Sequence, residues 1–143
     1  MSDTRPASTS DTSHGFGRAL VAVYAVFALA ASARSIVQLI TEVESDTVVP
    51  YTLSAFAGVV YVLATYALAR NHRRLASVTI GIELVGVLTV GVLSLVDSSL
   101  FPDQTVWSDF GMGYAFIPLV LPFVGLWWLR HSGEDPASRP AQA

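Results

Sequence analysis

Four apolar runs, each close to the length of a membrane-spanning helix, constrain this chain more than any other feature. A helix that crosses a bilayer needs about 20 mainly apolar residues, and the runs cover about residues 19–40, 52–69, 75–96 and 110–129. Only 13% of the 143 residues are charged, whereas soluble domains carry about 25%. The sequence therefore predicts an all-α fold, a four-helix transmembrane bundle surrounded by lipid.

The distribution of arginine predicts how this bundle is oriented. The turn Arg70-Asn71-His72-Arg73-Arg74 is so short that the second and third helices must be antiparallel neighbours. If the chain crosses the membrane four times, the other arginines outside the spans lie on the same side of the membrane as this turn. They are Arg5, Arg18, Arg130 and Arg139. The opposite side holds no Arg or Lys, and its acids are Glu42, Glu44, Asp46, Asp97, Asp103 and Asp109. Because Arg and Lys accumulate in cytoplasmic loops, we expect both termini in the cytoplasm and a multi-pass location in the cell (inner) membrane.

The two ends of the chain are polar and predict no packed structure. We expect a disordered tail at residues 1–15, a four-span membrane domain at residues 16–131 and a second disordered tail at residues 132–143. Ala31-Ser32-Ala33 has the form of a signal-peptide cleavage site. The long leading segment of mixed charge, and the apolar residues that follow this site, favour retention of the first span as a helix.

The residue types that are missing exclude several functions. The chain has no cysteine, which removes disulfides, thiolate metal sites and Fe–S clusters. The histidines all lie outside the spans and cannot pair around a haem within the bilayer; they are His14, His72 and His131. No hydrolase or phosphate-loop motif is present, and the net charge of −3 does not favour a nucleic-acid partner. We expect no catalytic residue, no cofactor and no metal.

The longest connection between spans, residues 97–109, combines three aspartates with large apolar side chains. Phe101, Val106 and Trp107 indicate a segment that lies in the headgroup region. The aspartates could gather a divalent cation, but solvated acids that fix the orientation of the chain are the simpler interpretation.

Arg34 and Glu83 are the two ionisable residues inside the predicted spans. Each costs about 2.5–3.5 kcal/mol at the centre of a membrane helix, so neither is expected to face lipid. Glu83 shares a helix face with other polar residues, namely Thr79, Ser94 and Asp97, all within about 40° of one line. Arg34 shares its face with Gln38, four residues further on.

A third polar feature is predicted in the fourth span. Pro118 has no N–H to donate to the carbonyl of Tyr114, and this carbonyl and Arg34 both lie about 6–9 Å below the same membrane surface. Arg34 and Glu83 are about 10 Å apart along the bundle axis. We therefore expect an intramembrane polar network in which Arg34 binds the freed carbonyl or the Gln38/Glu83 pair. Its members are Arg34, Gln38, Thr79, Glu83, Tyr114 and Pro118.

Two stretches resemble a known group of proteins. They are SAFAGVVYVLATYALAR at 54–70 and FPDQTVWSDFGMGYAFIPLVLPFVGLWWLR at 101–130, and they resemble small, uncharacterised four-helix integral membrane proteins of actinobacteria. The string Phe-Pro-Asp…Val-Trp-Ser…Gly-x-Gly-Tyr…Pro-x-x-x-Pro is the most specific part, and the resemblance covers about residues 17–130. It implies a membrane location and a four-helix architecture, and no particular activity.

Three functions remain open at this point. We expect a non-enzymatic accessory or interaction subunit that contacts the lipid bilayer and either a second copy of itself or another membrane protein. The small residues Ser54 and Gly58, four apart, would let a neighbouring helix approach closely. The alternative is a small transporter or ion or proton channel that uses Arg34 and Glu83. A membrane enzyme acting on lipid is the least supported, because no nucleophile–base pair is visible.

Overall fold

A computed structural model of the chain describes residues 9–41 and 48–132, which contain four α-helices. They are α1 (Thr9–Thr41), α2 (Val48–Ala69), α3 (Arg73–Val96) and α4 (Ile117–His131). Helices α1, α2 and α3 are each long and apolar enough to cross a membrane, and α4 makes a fourth crossing if it is counted with the bent segment before it. The predicted all-α fold is confirmed, and its three to four apolar helices are compatible with a multi-pass membrane protein.

Helix α1 begins at Thr9, earlier than the composition of the chain predicts. Residues 9–15 are therefore helical, although the sequence places them in a disordered tail. Once an apolar span has formed a helix, extension by one residue costs little compared with nucleation, and no proline interrupts this stretch. The remaining tail residues, 1–8 and 133–143, and the acidic residues 42–47 lie outside the part of the chain that the structure describes.

The basic turn is closed by hydrogen bonds between neighbouring residues. The N–H of His72 donates to the carbonyl of Ala67 at 2.8 Å, and the N–H of Asn71 donates to that of Leu68 at 3.2 Å. Asn71 has φ 55°, in the left-handed region. This is the Schellman arrangement, in which Gly or Asn ends a helix in the left-handed conformation. Helix α3 starts two residues later at Arg73, so the sequence reverses direction within the predicted turn.

The fourth predicted span, residues 110–129, is bent, and a single continuous helix over these residues is not found. Helix α4 has 15 residues and a length of about 22 Å. A 3-10 segment, Ser108–Tyr114, precedes it at an angle of 97°. Pro118 lies in the first turn of α4, where its missing N–H costs nothing. The helix therefore starts next to the proline instead of running through it.

The connecting segment, residues 97–116, packs into the bundle. Phe101, Val106 and Trp107 are buried in the protein, so these three side chains do not contact lipid headgroups, and the position of the segment at headgroup level stays a prediction. The segment packs against glycines of α3. A Cβ on Gly86 would lie 2.6 Å from Cζ3 of the Trp107 ring, and a Cβ on Gly91 would overlap the ring of Phe110. Missing side chains on α3 thus admit aromatic rings from the loop.

Helices α1 and α2 also approach closely. A Cβ on Gly58 would lie 3.2 Å from Oγ of Ser32 and 3.4 Å from its backbone N. Ser54, one turn away on α2, is buried as well. The small pair Ser54 and Gly58 does bring a second helix near, as predicted from the spacing, but that helix is α1 of the same chain. The pair is therefore not free to bind another protein.

We name the two ends of the bundle by their connections. The turn end carries residues 70–74 together with the start of α1 and the end of α4. The ring of Phe16 meets the edge of Trp127 there, with centroids 6.3 Å apart. The loop end carries the connecting segment, and the hydroxyl of Tyr51 donates to Oδ2 of Asp103 at 3.1 Å. The polar groups of the interior lie between these two ends.

Candidate functional site: a buried carboxyl group among aromatic side chains

Glu83 lies near the middle of α3 and is 0% exposed. The hydroxyl of Tyr24, on α1, donates to Oε2 of this carboxyl at 2.7 Å. The other oxygen, Oε1, is buried and has no hydrogen-bond partner among the residues that the structure describes. An unpaired polar atom in an apolar interior is energetically costly. An ionisable group inside a membrane span is also a functional candidate by default, so Glu83 is the natural centre of a site.

Two further residues extend this site towards the loop end. The ring of Tyr61, on α2, packs beside that of Tyr24, with centroids 6.2 Å apart. The hydroxyl oxygen of Tyr61 accepts a hydrogen bond of 3.0 Å from Nε1 of Trp107. Tyr24, Tyr61, Glu83 and Trp107 thus form one polar group, which we call the Glu83 centre. It joins three helices and the connecting segment at a single point.

The packing around the Glu83 centre explains why these elements meet. The rings of Tyr61 and Trp107 have centroids 6.3 Å apart, and that of Phe27 lies 5.5 Å from Tyr61. Helix α4 comes close because residue 125 is glycine, where a Cβ would lie 3.3 Å from the Tyr24 hydroxyl. Aromatic rings therefore fill the centre of the bundle around four polar groups, which are two phenol hydroxyls, one indole N–H and one carboxyl group.

Arg34 does not join the Glu83 centre. Its Nε is buried and has no hydrogen-bond partner in the described part of the chain, and the same holds for Oε1 of Gln38. Arg34 follows Tyr24 by ten residues on α1, which is about 15 Å along a helix, so it lies in the loop-end half of the bundle. The structure does not bring Arg34 and Glu83 together.

The remaining members of the predicted network have separate surroundings. The Oγ1 of Thr79 is buried and lies 2.8 Å from the carbonyl of Leu75 in its own helix. Tyr114 is half-buried, and its ring packs on Phe27 with centroids 5.8 Å apart. Pro118 is buried where a Cβ on Gly111 would meet its ring at 2.7 Å. Because Tyr114 is outside α4, Pro118 removes no helix hydrogen bond from its carbonyl.

The predicted polar face of α3 is buried along most of its length. Thr79, Glu83 and Ser94 are buried, whereas Asp97 is exposed at the helix end. Ser94 contacts the connecting segment: its Oγ accepts a hydrogen bond of 2.8 Å from the backbone N–H of Asp109. The face therefore points into the protein, as expected, and it binds two different partners at two different depths.

A guanidinium group does bind freed helix carbonyls, but it belongs to Arg73 and not to Arg34. Arg73 donates through one terminal nitrogen to the carbonyl of Leu129 and through the other to Oγ of Ser132, at 3.1 Å. The last four carbonyls of a helix have no partner within it, and a cation is favourable there. Arg73 thus fastens the start of α3 to the end of α4.

Sequence reasoning missed four functional or anchoring residues: Tyr24, Tyr61, Trp107 and Arg73. Tyrosine and tryptophan read as apolar within a run, yet each carries a polar group that needs a partner when buried. Two tyrosines inside predicted spans were therefore a usable signal. For Trp107, no local signal indicates that its ring packs against Gly86. Arg73 carried no local signal that separates it from Arg70 and Arg74.

A wide apolar depression lies on the surface of the bundle. It has a volume of about 540 Å³, lies between α2 and α3, and has the ring of Trp107 in its lining. We call it the α2–α3 groove, and its other main lining residues are Leu53, Phe56, Ser77, Gly81 and Val85. No Cβ contact would arise at Gly81, where nothing lies within 4 Å. The groove is open at this glycine.

Metal binding finds no support within residues 9–41 and 48–132, where no three His, Cys, Asp or Glu side chains are grouped to hold an ion. The chemistry available at the Glu83 centre is hydrogen bonding and proton exchange between a carboxyl group, two phenols and an indole.

Comparisons of the chain with protein-family models, with curated proteins and with solved structures gave no match.

Proposed function

We propose that this chain is a non-enzymatic accessory or interaction subunit of the cell membrane, and that it binds another membrane helix in the α2–α3 groove. The groove is the observation that carries the proposal. It is lined almost wholly by apolar side chains, and it contains a small pair, Ser77 and Gly81, four residues apart on α3. Such pairs allow close contact between membrane helices.

The interior of the bundle supports the same proposal. Its centre is filled by buried rings, those of Tyr24, Tyr61 and Trp107, and by Ile80. Membrane channels need a continuous polar or water-filled path, whereas the α2–α3 groove is lined almost wholly by apolar side chains. A role in contacts with a neighbour in the bilayer agrees better with this arrangement than a role in conduction does.

The charges of the described residues support an orientation with the turn end in the cytoplasm. Arg18, Arg70, Arg73, Arg74 and Arg130 belong to the turn end. The described aspartates of the loop end are Asp97, Asp103 and Asp109. We propose four crossings with both termini in the cytoplasm, since arginine is retained on that side.

Copurification tests the interaction. The chain is purified from native membranes in a mild detergent, and companions are identified and quantified. Gly81→Leu fills the groove and should remove a stoichiometric companion or a second copy of the chain. Ala22→Leu, an enlargement smaller by one methyl group at an exposed position of α1, should leave it bound. A companion that is retained in full by Gly81→Leu would place the contact elsewhere.

The orientation has its own experiment. The chain lacks cysteine, so single cysteines can be placed without background. In intact cells, an impermeant maleimide should label Ser99→Cys at the loop end and leave His72→Cys unlabelled until the membrane is opened. Labelling of residue 72 from outside would reverse the orientation.

A second function is favoured by one specific observation, the unpaired Oε1 of Glu83. We propose as the alternative a small transporter or ion or proton channel in which Glu83 carries the exchangeable proton and Arg34 lines the loop-end approach. Glu83→Gln would then abolish a pH-dependent flux in proteoliposomes while the helical content is unchanged. Equal flux in Glu83→Gln and in the parent protein would eliminate this alternative.

A further inference from the structure

Arg34 is a cation inside a membrane span, and its buried Nε has no hydrogen-bond partner among residues 9–41 and 48–132. The loop-end carboxylates that the structure describes have other partners; they are Asp97 with Ser99, Asp103 with Tyr51 and Asp109 with Ser94. A guanidinium group stays charged in proteins, and an unpaired charge is costly within a bilayer. The counter-charge of Arg34 therefore comes from outside these residues.

Gln38 lies one helical turn beyond Arg34 on α1. Its Oε1 is also buried and unpartnered within the described part of the chain, and both side chains are half-buried. Residues four apart share one face of a helix. Helical side chains lean towards the N-terminus, so that of Gln38 reaches back over the turn that carries Arg34. A guanidinium and an amide side by side offer several N–H donors, which suits a phosphate group with its several acceptor oxygens.

The depth of this pair follows from the aromatic residues at the turn end. A Cβ on Gly17 of α1 would lie 2.7 Å from the ring of Trp128, and tryptophan typically marks the boundary between hydrocarbon and headgroups. Arg34 follows Gly17 by 17 residues, which is about 26 Å along the helix. Since the hydrocarbon layer is about 30 Å thick, Arg34 lies within one turn of the opposite boundary and Gln38 lies at it.

The flank of α1 that carries Arg34 is the one beside the start of α4. Phe27 precedes Arg34 by seven residues and therefore shares its face. The ring of Phe27 packs on Tyr114, with centroids 5.8 Å apart, and α4 begins three residues later at Ile117. Arg34 lies about 10 Å further along α1 than Phe27. It is therefore beyond the level at which α4 begins, where a lipid headgroup can approach.

We propose that Arg34 and Gln38 bind the phosphate group of a glycerophospholipid in the leaflet at the loop end. Arginine side chains near helix ends extend in this way to the interface. The acyl chains of the lipid lie against exposed apolar side chains of the same stretch of α1, which include Ile36, Val37 and Ile40. This inference goes beyond the functions proposed above, because it requires neither a partner in the α2–α3 groove nor a flux across the membrane.

Two other sources of negative charge are the rivals of this lipid. One is an acidic side chain among Glu42, Glu44 and Asp46, which lie outside the part of the chain that the structure describes. The other is a soluble anion from the aqueous phase. A soluble anion would lose its water to reach a site below the headgroups, whereas a lipid phosphate already lies at that boundary. The depth of Arg34 therefore favours the lipid.

Native mass spectrometry of the full chain in dodecyl maltoside tests the proposal. The chain is titrated with dioleoylphosphatidylglycerol and, separately, with dioleoylglycerol, which has the same acyl chains and no phosphate. We expect Arg34→Gln to bind the first phosphatidylglycerol about tenfold or more weakly than the parent protein, because hydrogen bonds of a charged group are lost. Binding of dioleoylglycerol should be the same in both proteins, a selectivity that a merely structural arginine would not produce.

Arg74→Gln is the matched control, since it removes the same charge at an exposed position of the turn end. It should weaken the binding of phosphatidylglycerol by only about twofold, as for a solvent-exposed charge. If Arg34→Gln does not fold, Gln38→Leu keeps the guanidinium and removes the amide. That variant should bind phosphatidylglycerol about threefold more weakly and dioleoylglycerol unchanged.

The rivals have their own arms. The combined change Glu42→Gln, Glu44→Gln and Asp46→Asn should leave phosphatidylglycerol bound at least as tightly as in the parent protein. Inorganic phosphate should not displace the lipid, compared with chloride at the same ionic strength.

The proposal is overturned if Arg34→Gln, or Gln38→Leu where that variant replaces it, binds phosphatidylglycerol as tightly as the parent protein does. It is equally overturned if dioleoylglycerol is lost by the same factor, or if Arg74→Gln has an effect as large as that of Arg34→Gln. Weaker lipid binding in the triple variant, or displacement of the lipid by inorganic phosphate, would also assign the charge of Arg34 to another anion.

Discussion

The turn at residues 70–74 and the connecting segment at residues 97–116 both join antiparallel neighbours, but their contacts differ in range. The turn is closed by backbone bonds between residues two to five positions apart. The connecting segment is fixed by the bond between Trp107 and Tyr61, 46 positions apart, and by the contact of Asp109 with Ser94, 15 positions apart. Local contacts can be inferred from neighbouring letters of the sequence, whereas distant ones depend on how the helices pack. The following changes test that difference, from the largest expected effect to the smallest.

Trp107→Ala should have the largest effect. Trp107 is 1% exposed, and loss of a buried large aromatic side chain costs about 3–5 kcal/mol. The free energy of unfolding in mixed micelles measures the loss. Trp127→Ala is the matched control at the turn end, because Trp127 is 56% exposed, and it should cost about 1 kcal/mol or less. Equal losses in the two variants would mean that Trp107 is not an anchor.

Arg73→Ala should have the next largest effect and tests a distant contact made by the turn itself. Hydrogen bonds of a charged group contribute about 1.5–3 kcal/mol, and Arg73 makes its bonds to Leu129 and Ser132. Arg74→Ala, at an exposed neighbour, should change the unfolding free energy by less than about 0.5 kcal/mol. Similar values for the two arginines would contradict the bond to the end of α4.

Gly86→Ala should destabilise the protein by about 1–3 kcal/mol through overpacking against Trp107. Gly81→Ala introduces the same methyl group in open space on the same helix. It should leave stability unchanged or raise it by up to about 1 kcal/mol, because alanine favours helix over glycine. Unfolding of both variants side by side gives the comparison, and a destabilising Gly81→Ala would refute an open groove at that residue.

Asn71→Ala should have the smallest effect, about 1 kcal/mol, since alanine is strained in the left-handed conformation that ends α2. Asn71→Gly retains that conformation without strain and should be close to neutral. Thermal unfolding in detergent distinguishes them. An alanine variant as stable as the glycine variant would show that the turn is held by distant contacts as well.

The sequence predicts the parts of this fold that depend on length and polarity. The apolar runs give three of the helices, the basic turn gives the reversal between α2 and α3, and the cost of a buried charge places Glu83 inside the protein. The partner of Glu83 is a different matter. Reasoning by charge favours Arg34, but Tyr24 lies at the right level of α1 and Arg34 lies about 15 Å away along the helix.

The break in the fourth crossing shows a similar limit. Pro118 disturbs a helix either by removing a bond within it or by starting it, and both choices agree with the local sequence. In the structure, Pro118 lies at the start of α4, because the rings of Trp107 and Phe110 pack against Gly86 and Gly91. Each of these packing contacts joins a glycine of one helix to an aromatic ring of a later segment. No periodicity in either stretch indicates which ring meets which glycine.

The shortness of α4 has a consequence for the surrounding bilayer. With 15 residues, it covers about 22 Å of a hydrocarbon layer about 30 Å thick. On this flank the exposed irregular backbone near Gly113 and Ala115 would face acyl chains, which offer no hydrogen bonds. Lipids respond to such hydrophobic mismatch by local thinning. The protein should therefore dimple the membrane along α4 and leave it at full thickness beside α2 and α3, so that neighbours with short spans gather on one side of it.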